Sequence, residues 1–393
     1  MADISLNTTV LYVTEEVTEG TAVDPTNGNQ AVSVTSDGFA IDASFAVVER
    51  NNMTSSIERP TGRLGIKTSS ASLTVEAKAN TIAGGAPEYD LLMESALGAT
   101  RANTNTITTL TTTNVSAIPV SAITGLAKGD IVMFKDSNGY HITPLTSVDA
   151  NGPAENDDTV TCLVPFSVAP AGNTAIEKST TFYGANSGHP SLTLTAFMED
   201  AFKIQTAGCK VNSLSLEGFE PSSIATFAFG LQGVGYDETA STPSGLTASY
   251  DGAEPPTVLS ACVYKDGVQI PVSAFGFSLE NTVAQKLSTC APNGIVSQKI
   301  TARAVTGTFT PYMDTGSTAL FDAFNAETKF SLFAYIANPG ASAGQKKEVV
   351  AFYLPVCKIT NMPKADADGL MQYNIEFQAE PDATGSSLFI SFI

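Results

Sequence analysis

The chain has 393 residues and a formal net charge of −19, enough length for two to four domains with their own cores. The acidity excludes ordinary nucleic-acid binding, which needs clustered Lys and Arg. With 43% hydrophobic and only 15% charged residues, the Thr-, Ser-, Ala- and Gly-rich composition points to a folded, mainly β protein.

Residues 1–40 hold few apolar anchors and the turn formers Gly20, Pro25, Asn27-Gly28 and Asp37-Gly38, and read as an extended N-terminal arm with one or two short strands. The start, Met1-Ala2-Asp3-Ile4, lacks a basic and then apolar leader, and no apolar run approaches membrane-spanning length, so the expectation is a chain made in a cytoplasm. Phe39, Ile41, Ala43, Phe45 and Val47 then alternate with other residues, as one buried sheet face requires. The strand breaks into a long polar loop from Glu49 to Gly62. Long ordered loops are uncommon and often functional, which marks Glu49, Arg50, Asn52, Glu58 and Arg59 as candidate contacts between subunits.

Leu73, Val75 and Ala77 alternate with Thr74, Glu76 and Lys78. Pro87 opens a helix carrying Tyr89, Leu91, Leu92, Met93, Ala96 and Leu97, and Gly98 closes it. Residues 101–182 follow. They run from a Thr- and Asn-rich stretch, Asn103 to Asn114, through Ile131 to Phe134, the Asn138-Gly139 turn and Val160 to Val168. This spacing of short strands and turns predicts a small inserted β-barrel or sandwich. Insertions survive where the chain is exposed, so it is expected outside any assembly. Its acidic run, Glu155, Asp157 and Asp158, reads as a solvated face.

Beyond residue 182 the chain repeats itself. Ser191 to Met198 matches Lys329 to Ile336, and Phe202, Ile204, Cys209, Lys210, Val211, Phe227 and Phe229 match Val350, Phe352, Cys357, Lys358, Ile359, Ile375 and Phe377 at a constant offset of 148. Leu73, Val75 and Ala77 are matched to Ile300, Ala302 and Ala304, with Thr301 and Arg303 between them. The helix is matched to Ser317–Ala326, whose stripe is Leu320, Phe321 and Phe324. The reading is therefore an arm (1–40), a discontinuous first unit (41–100 and 183–236), an inserted β domain (101–182), a linker (237–262) and a second unit (263–393). A duplicated unit of this kind points to symmetric assembly.

No motif carries chemistry. Neither His141 nor His189 sits in a nucleophile or metal context, and the five cysteines include no C-x-x-C pair. Asp366-Ala367-Asp368-Gly369 lacks the later Glu of a calcium loop and reads as a tight turn. No cofactor or metal is expected, and the chain does not read as an enzyme.

The chain resembles the major tail tube proteins of long, non-contractile-tailed bacteriophages. The resemblance rests on Glu16-Val17-Thr18-Glu19-Gly20-Thr21, on the loop from Glu49-Arg50 to Gly62, on the helix after Ala86-Pro87 and on the hairpin ending Phe227-Ala228-Phe229. It covers most of the chain outside the insert and linker. It implies two tandem β-sandwich or barrel units, each with a flanking helix, in rings that stack into a tube conducting DNA from capsid to cell. With two units per chain, three chains would supply six ring positions.

The resemblance also implies self-assembly, contact with tape measure, tail terminator and baseplate proteins, and DNA passing without sequence-specific binding. Thr74, Glu76, Lys78, Thr301 and Arg303 are candidate lumen positions that could equally face a second sheet or solvent. Glu49, Arg50, Asn52, Glu58 and Arg59, together with Asn281, Lys286 and Asn293 of the 281–294 loop, are candidate ring-to-ring contacts. Two alternatives stand beside this reading: a baseplate hub or tail terminator, and a glycan-binding role confined to the insert.

Overall fold

The computed structural model describes residues 8–393 except 54, 56, 137–138, 151–157, 200, 242, 244, 260, 292, 315–317 and 340–345. Met1-Ala2-Asp3-Ile4, Asn138, Glu155 and Asp157 thus lie outside the described residues. In chain order the elements begin with β1 (Val10–Glu15), β2 (Ala31–Val32), β3 (Ala40–Val48), β4 (Arg63–Glu76), α1 (Asp90–Leu97) and β5 (Gly98–Asn103). The inserted segment contributes β6 (Ile107–Thr108), β7 (Ala117–Val120), β8 (Ile131–Asp136), β9 (Gly139–Asp149), β10 (Asp158–Cys162) and β11 (Ala175–Ile176). The first half closes with β12 (Ser179–Gly184), β13 (Leu192–Met198), β14 (Phe202–Glu217), β15 (Thr226–Gly233) and β16 (Gly235–Thr239).

The second half opens with β17 (Cys262–Lys265), β18 (Val268–Ile270), β19 (Val272–Leu287), β20 (Ile295–Pro311), α2 (Thr318–Asn325), β21 (Phe330–Pro339) and β22 (Lys346–Asn361). It ends with β23 (Lys364–Ala367), β24 (Leu370–Tyr373), β25 (Ile375–Ala379) and β26 (Phe389–Phe392). The protein is mainly β, with two short helices, as the composition predicted.

Two sheets face each other in each half, and β14 and β22 run through both. The first part of β14 pairs with β13 and β16, and its last part with β15 and β19. Gly208, at φ +67°, and the register shift between Val211 and Ser213 bend the strand from one sheet into the other, the work a bulge does. Strand β22 behaves likewise, shifting register between Ile359 and Asn361. One continuous ladder results, β3-β4-β15-β14-β19-β20-β25-β22, crossing from the first half into the second at β14–β19.

The registers of the two halves agree in part with the sequence match. Leu192 faces Cys209 and Ala196 faces Ile204, while Phe330 faces Cys357 and Ala334 faces Phe352. Two matches need correction. Val211 faces Leu231 but Ile359 faces Phe377, so Phe377 is level with Leu231 and not Phe229. That slip of two preserves the buried face. Gly307 faces both Phe377 and Phe277, and Ala71 faces both Leu231 and Ile41. Leu73 is therefore level with Phe309, not with Ile300, an odd slip that turns every side chain to the other face.

The arm is not free. Strand β1 pairs with β13 and β2, with Leu11, Tyr12 and Val13 buried. The insert is a barrel of order β6-β11-β8-β9-β10-β7, closed by the Thr109–Val120 bridge and filled by Ile118, Val132, Phe134, Leu145 and Val160. The expected boundaries at 101 and 182 cut through β5 and β12, which belong to the large sheet, β12 pairing with both β5 and β26. The barrel docks on the second half of the same chain. Ile131, Met133, Ile142 and Val164 pack on Phe333, Tyr335, Ala351, Tyr353 and Phe389.

Candidate functional site

The eight-stranded ladder has two unlike faces. Leu73, Val75, Phe227, Phe229, Leu214, Leu279, Val305, Phe309, Ile375 and Phe377 point into the core. The alternate positions, among them Ser72, Thr74, Ala228, Ser215, Ser278, Thr306, Thr308 and Gln378, are half-buried or exposed. A sheet polar on one face keeps that face toward water. Its charged positions include Asp42, Glu76, Glu217, Glu280 and Glu376; Lys286 and Lys299 extend the same face along the exposed β19–β20 hairpin, and Lys210 and Lys358 lie near the two helices. Both lysines are engaged: Lys210 Nζ donates to the His189 carbonyl at 3.0 Å and Lys358 Nζ to Glu327 at 2.7 Å. Away from the tip of the β19–β20 hairpin the face is therefore acidic.

Of the expected lumen residues, Thr74 and Glu76 lie on this polar face, and Thr301 is exposed at a register shift of β20. Lys78 and Arg303 do not belong there. Lys78 is 8% exposed, with its ammonium on Glu88 at 3.4 Å and the Asp251 carbonyl at 3.1 Å. Arg303 has the parity of Val305 and Phe309, the consequence of the odd slip. Its Nη2 donates to the Leu97 carbonyl at 2.8 Å, at the C-terminus of α1, where a cation complements the helix dipole. Burial holds this guanidinium down to about 10, still charged at neutral pH.

Of the expected ring contacts, Glu49, Arg50, Asn52, Glu58, Arg59 and Lys286 are exposed. Asn281 is 6% exposed, its amide donating to the carbonyls of Ala96 (2.9 Å) and Val211 (3.1 Å), so it reaches no surface. Asn293 donates to the Val234 carbonyl within the chain. Phe45, Val47, Val48 and Leu64 beside the Glu49–Gly62 loop, and Met53 and Ile57 within it, are exposed at the end of the β3–β4 hairpin. Such a patch marks a contact surface.

Sequence reasoning missed Glu16 as an organising residue, although its segment carried the resemblance. Its carboxylate is buried and accepts from Gly20 N, Gly208 N, Ser191 Oγ and Thr193 Oγ1 at 2.7–2.9 Å. This network seals the outer face of β13. The two histidines are structural. His189 Nδ1 lies 2.9 Å from the Ser95 carbonyl, and burial holds its pKa below the usual imidazole value. His141 Nε2 lies 2.9 Å from the Val164 carbonyl. The Asp366–Gly369 turn joins β23 to β24, with Gly369 N donating to Asp366 Oδ1 at 2.7 Å. Among the described residues no group of three His, Cys, Asp or Glu is placed to hold a metal, and no helix is long and apolar enough to cross a membrane.

The sequence profile of a family described as phage tail tube protein matches residues 6–379. The chain belongs to the phage tail tube protein family. It is thus a structural component of a phage virion tail. A search of curated proteins gave no match. In this tail tube protein the matched region takes in the arm, the barrel and both halves of the ladder.

Proposed function

We propose that three chains of this tail tube protein close into a ring with pseudo-sixfold inner symmetry, and that such rings stack into the conduit through which DNA is ejected into the host. On this reading the two halves are copies of one tube unit. The observation that carries it is the ladder β3-β4-β15-β14-β19-β20-β25-β22, in which each half supplies four strands and the crossing at β14–β19 already joins two units edge to edge. Joining three such ladders would give a closed barrel without open edges.

The polar face would line the lumen. Asp42, Glu76, Glu217, Glu280 and Glu376 would repel phosphates, so DNA slides without sticking. The exposed Glu49–Gly62 loop and Lys286 would meet the next ring, and tape measure, terminator and baseplate proteins would meet the tube at its ends and within it. The protein would be made in the host cytoplasm before assembly. Negative-stain microscopy with top-view averaging tests the stoichiometry. Rings of three chains, sixfold within and threefold at the rim where the barrels sit, are expected. Rings of six whole chains, or none, would overturn the reading.

A further inference from the structure

The contact between the two halves leaves one surface without a cover. The β19–β20 hairpin crosses onto the first half, where Ser213, Leu214 and Ser215 pair with Glu280, Leu279 and Ser278. Asn281 and Arg303 of this hairpin bind the carbonyls at the end of α1, Asn293 donates to the Val234 carbonyl, and the Gln298 backbone N–H donates to the Glu19 carboxylate. Beneath them α1 buries Leu92, Met93, Ser95, Ala96 and Leu97. Helix α2 buries no residue, and its Phe321 is 49% exposed. Among the described residues β22 beyond Cys357 pairs only with β25. At the other end of the ladder β3 pairs, among the described residues, only with β4, and this hairpin holds the exposed Phe45, Val47, Val48 and Leu64.

The registers bring these two bare surfaces into correspondence. Ala71 occupies between Ile41 and Leu231 the place that Gly307 occupies between Phe277 and Phe377. The β3–β4 hairpin is therefore level with β19–β20, as β14 is with β22. Carrying the β14–β19 joint across sets Met362 opposite Ala43, Asn361 opposite Ser44 and Pro363 opposite Asp42. Met362 packs on the core, and Ala43 shares the parity of the core-facing Ile41, so the apolar sides coincide, as a buried register demands. Lys67 takes the place of Arg303, keeping a cation toward the helix end, and Phe45 takes that of Asn281.

We propose that the β3–β4 hairpin of one chain covers α2 and the free edge of β22 on a second copy of this chain, in this register. The occupant is a copy because the joint is heterologous, made once already between the halves, and repetition of such a joint by rotation closes a ring. The proposal rests on the ring reading above and names the surfaces that make it.

The test uses the full chain with exposed Cys290 removed (Cys290→Ser) and the pair Ala43→Cys with Met362→Cys. Directly opposed residues of an antiparallel pair sit about 4.5–5.5 Å apart at Cα, within disulfide reach. Mild oxidation of assembled rings should give a covalent trimer, and neither single variant should. Separately, Phe45→Asp should abolish rings while the melting of the unassembled chain stays unchanged, because Phe45 is 44% exposed there. Rings that form without the 43–362 link, or Phe45→Asp rings forming as in the parent, would overturn this interface while leaving the ring reading intact. Absence of rings from the parent chain would remove both.

Discussion

Replacing Gly129 by alanine probes whether the inserted barrel is seated on the second half. Gly129 lies at φ +93°, and a Cβ there would fall 2.3 Å from Cε1 and Cζ of Phe389 on β26. The loop cannot retreat, because Gly129 N donates to the Leu145 carbonyl at 2.8 Å and the neighbouring Asp130 is paired with Arg101 at 2.7 Å. A left-handed conformation costs an alanine about 1–2 kcal/mol. Overpacking a filled core costs about 1–3 kcal/mol more. The expected loss is thus about 2–5 kcal/mol, read from the urea midpoint at constant slope. Phe389→Leu removes the ring atoms that the Cβ meets but not the backbone strain, so in that background the loss should fall to about 1–2 kcal/mol. A loss below about 0.5 kcal/mol, or an equal loss in both backgrounds, would refute the docking, since residues in contact should couple.

Excising residues 104–178 and bridging Asn103 to Ser179, which are opposed in β5–β12, with an Asn-Gly turn should uncover Phe333, Tyr335, Tyr353 and Phe389. At about 1.5–3 kcal/mol for each large side chain, the shortened chain should melt lower and aggregate, and normal stability would contradict a structural role for the barrel. Glu16→Ala orphans four donors at about 1–3 kcal/mol for each fully buried one. A thermal melt should show a loss of at least about 3 kcal/mol, with Glu16→Gln milder; an unchanged melt would dissolve the network argument.

Burial pushes the Asp130 carboxyl up to about 6, against the pull of Arg101 and the Ala127 amide. A raised carboxyl favours the folded chain below its unfolded value, near 3.8, and that contribution disappears as pH rises to about 6. At 1.36 kcal/mol per pH unit the change is on the order of 3 kcal/mol. Melts from pH 4 to 7 should show this decline in the parent and not in Asp130→Asn, and parallel profiles would refute it. Lysine at Glu76, Glu280 and Glu376 together should slow DNA ejection without blocking tail assembly, and unchanged ejection would remove the electrostatic account of the lumen.

Strand periodicity made the mainly β fold legible, and so was the pairing of β13 with β14 and of β21 with β22, because local alternation carries both. The insert's docking was also written in the sequence. Phe333 and Tyr335 stand level with Thr195 and Phe197, and the apolar run Phe330 to Ala337 lacks the alternation of a one-sided strand, which is the signature of burial on both faces. What alternation could not give was register across a bulge. One odd slip exchanged faces and sent Arg303 to the wrong side of the sheet. Lys78, Asn281 and Arg303 were misjudged as surface residues because their partners, Asp251, Ala96 and Leu97, lie 173, 185 and 206 residues away in sequence. No local pattern encodes such a meeting.

The unlike outer faces explain why one chain carries both halves. The first half is sealed by its own arm through the polar Glu16 network, the second by an apolar barrel that is inserted into the first half and docks on the second. The second half therefore depends on chain inserted into the first, while the first leans on the second through Asn281 and Arg303 of the β19–β20 hairpin, which bind the carbonyls at the end of α1. On the proposed ring, this tethering replaces half of the joints between subunits with an intramolecular one, made at the effective concentration of a short connection. Each association costs about 4–15 kcal/mol of translational and rotational freedom, so a ring assembled from three chains incurs that cost twice, against five times for a ring assembled from six.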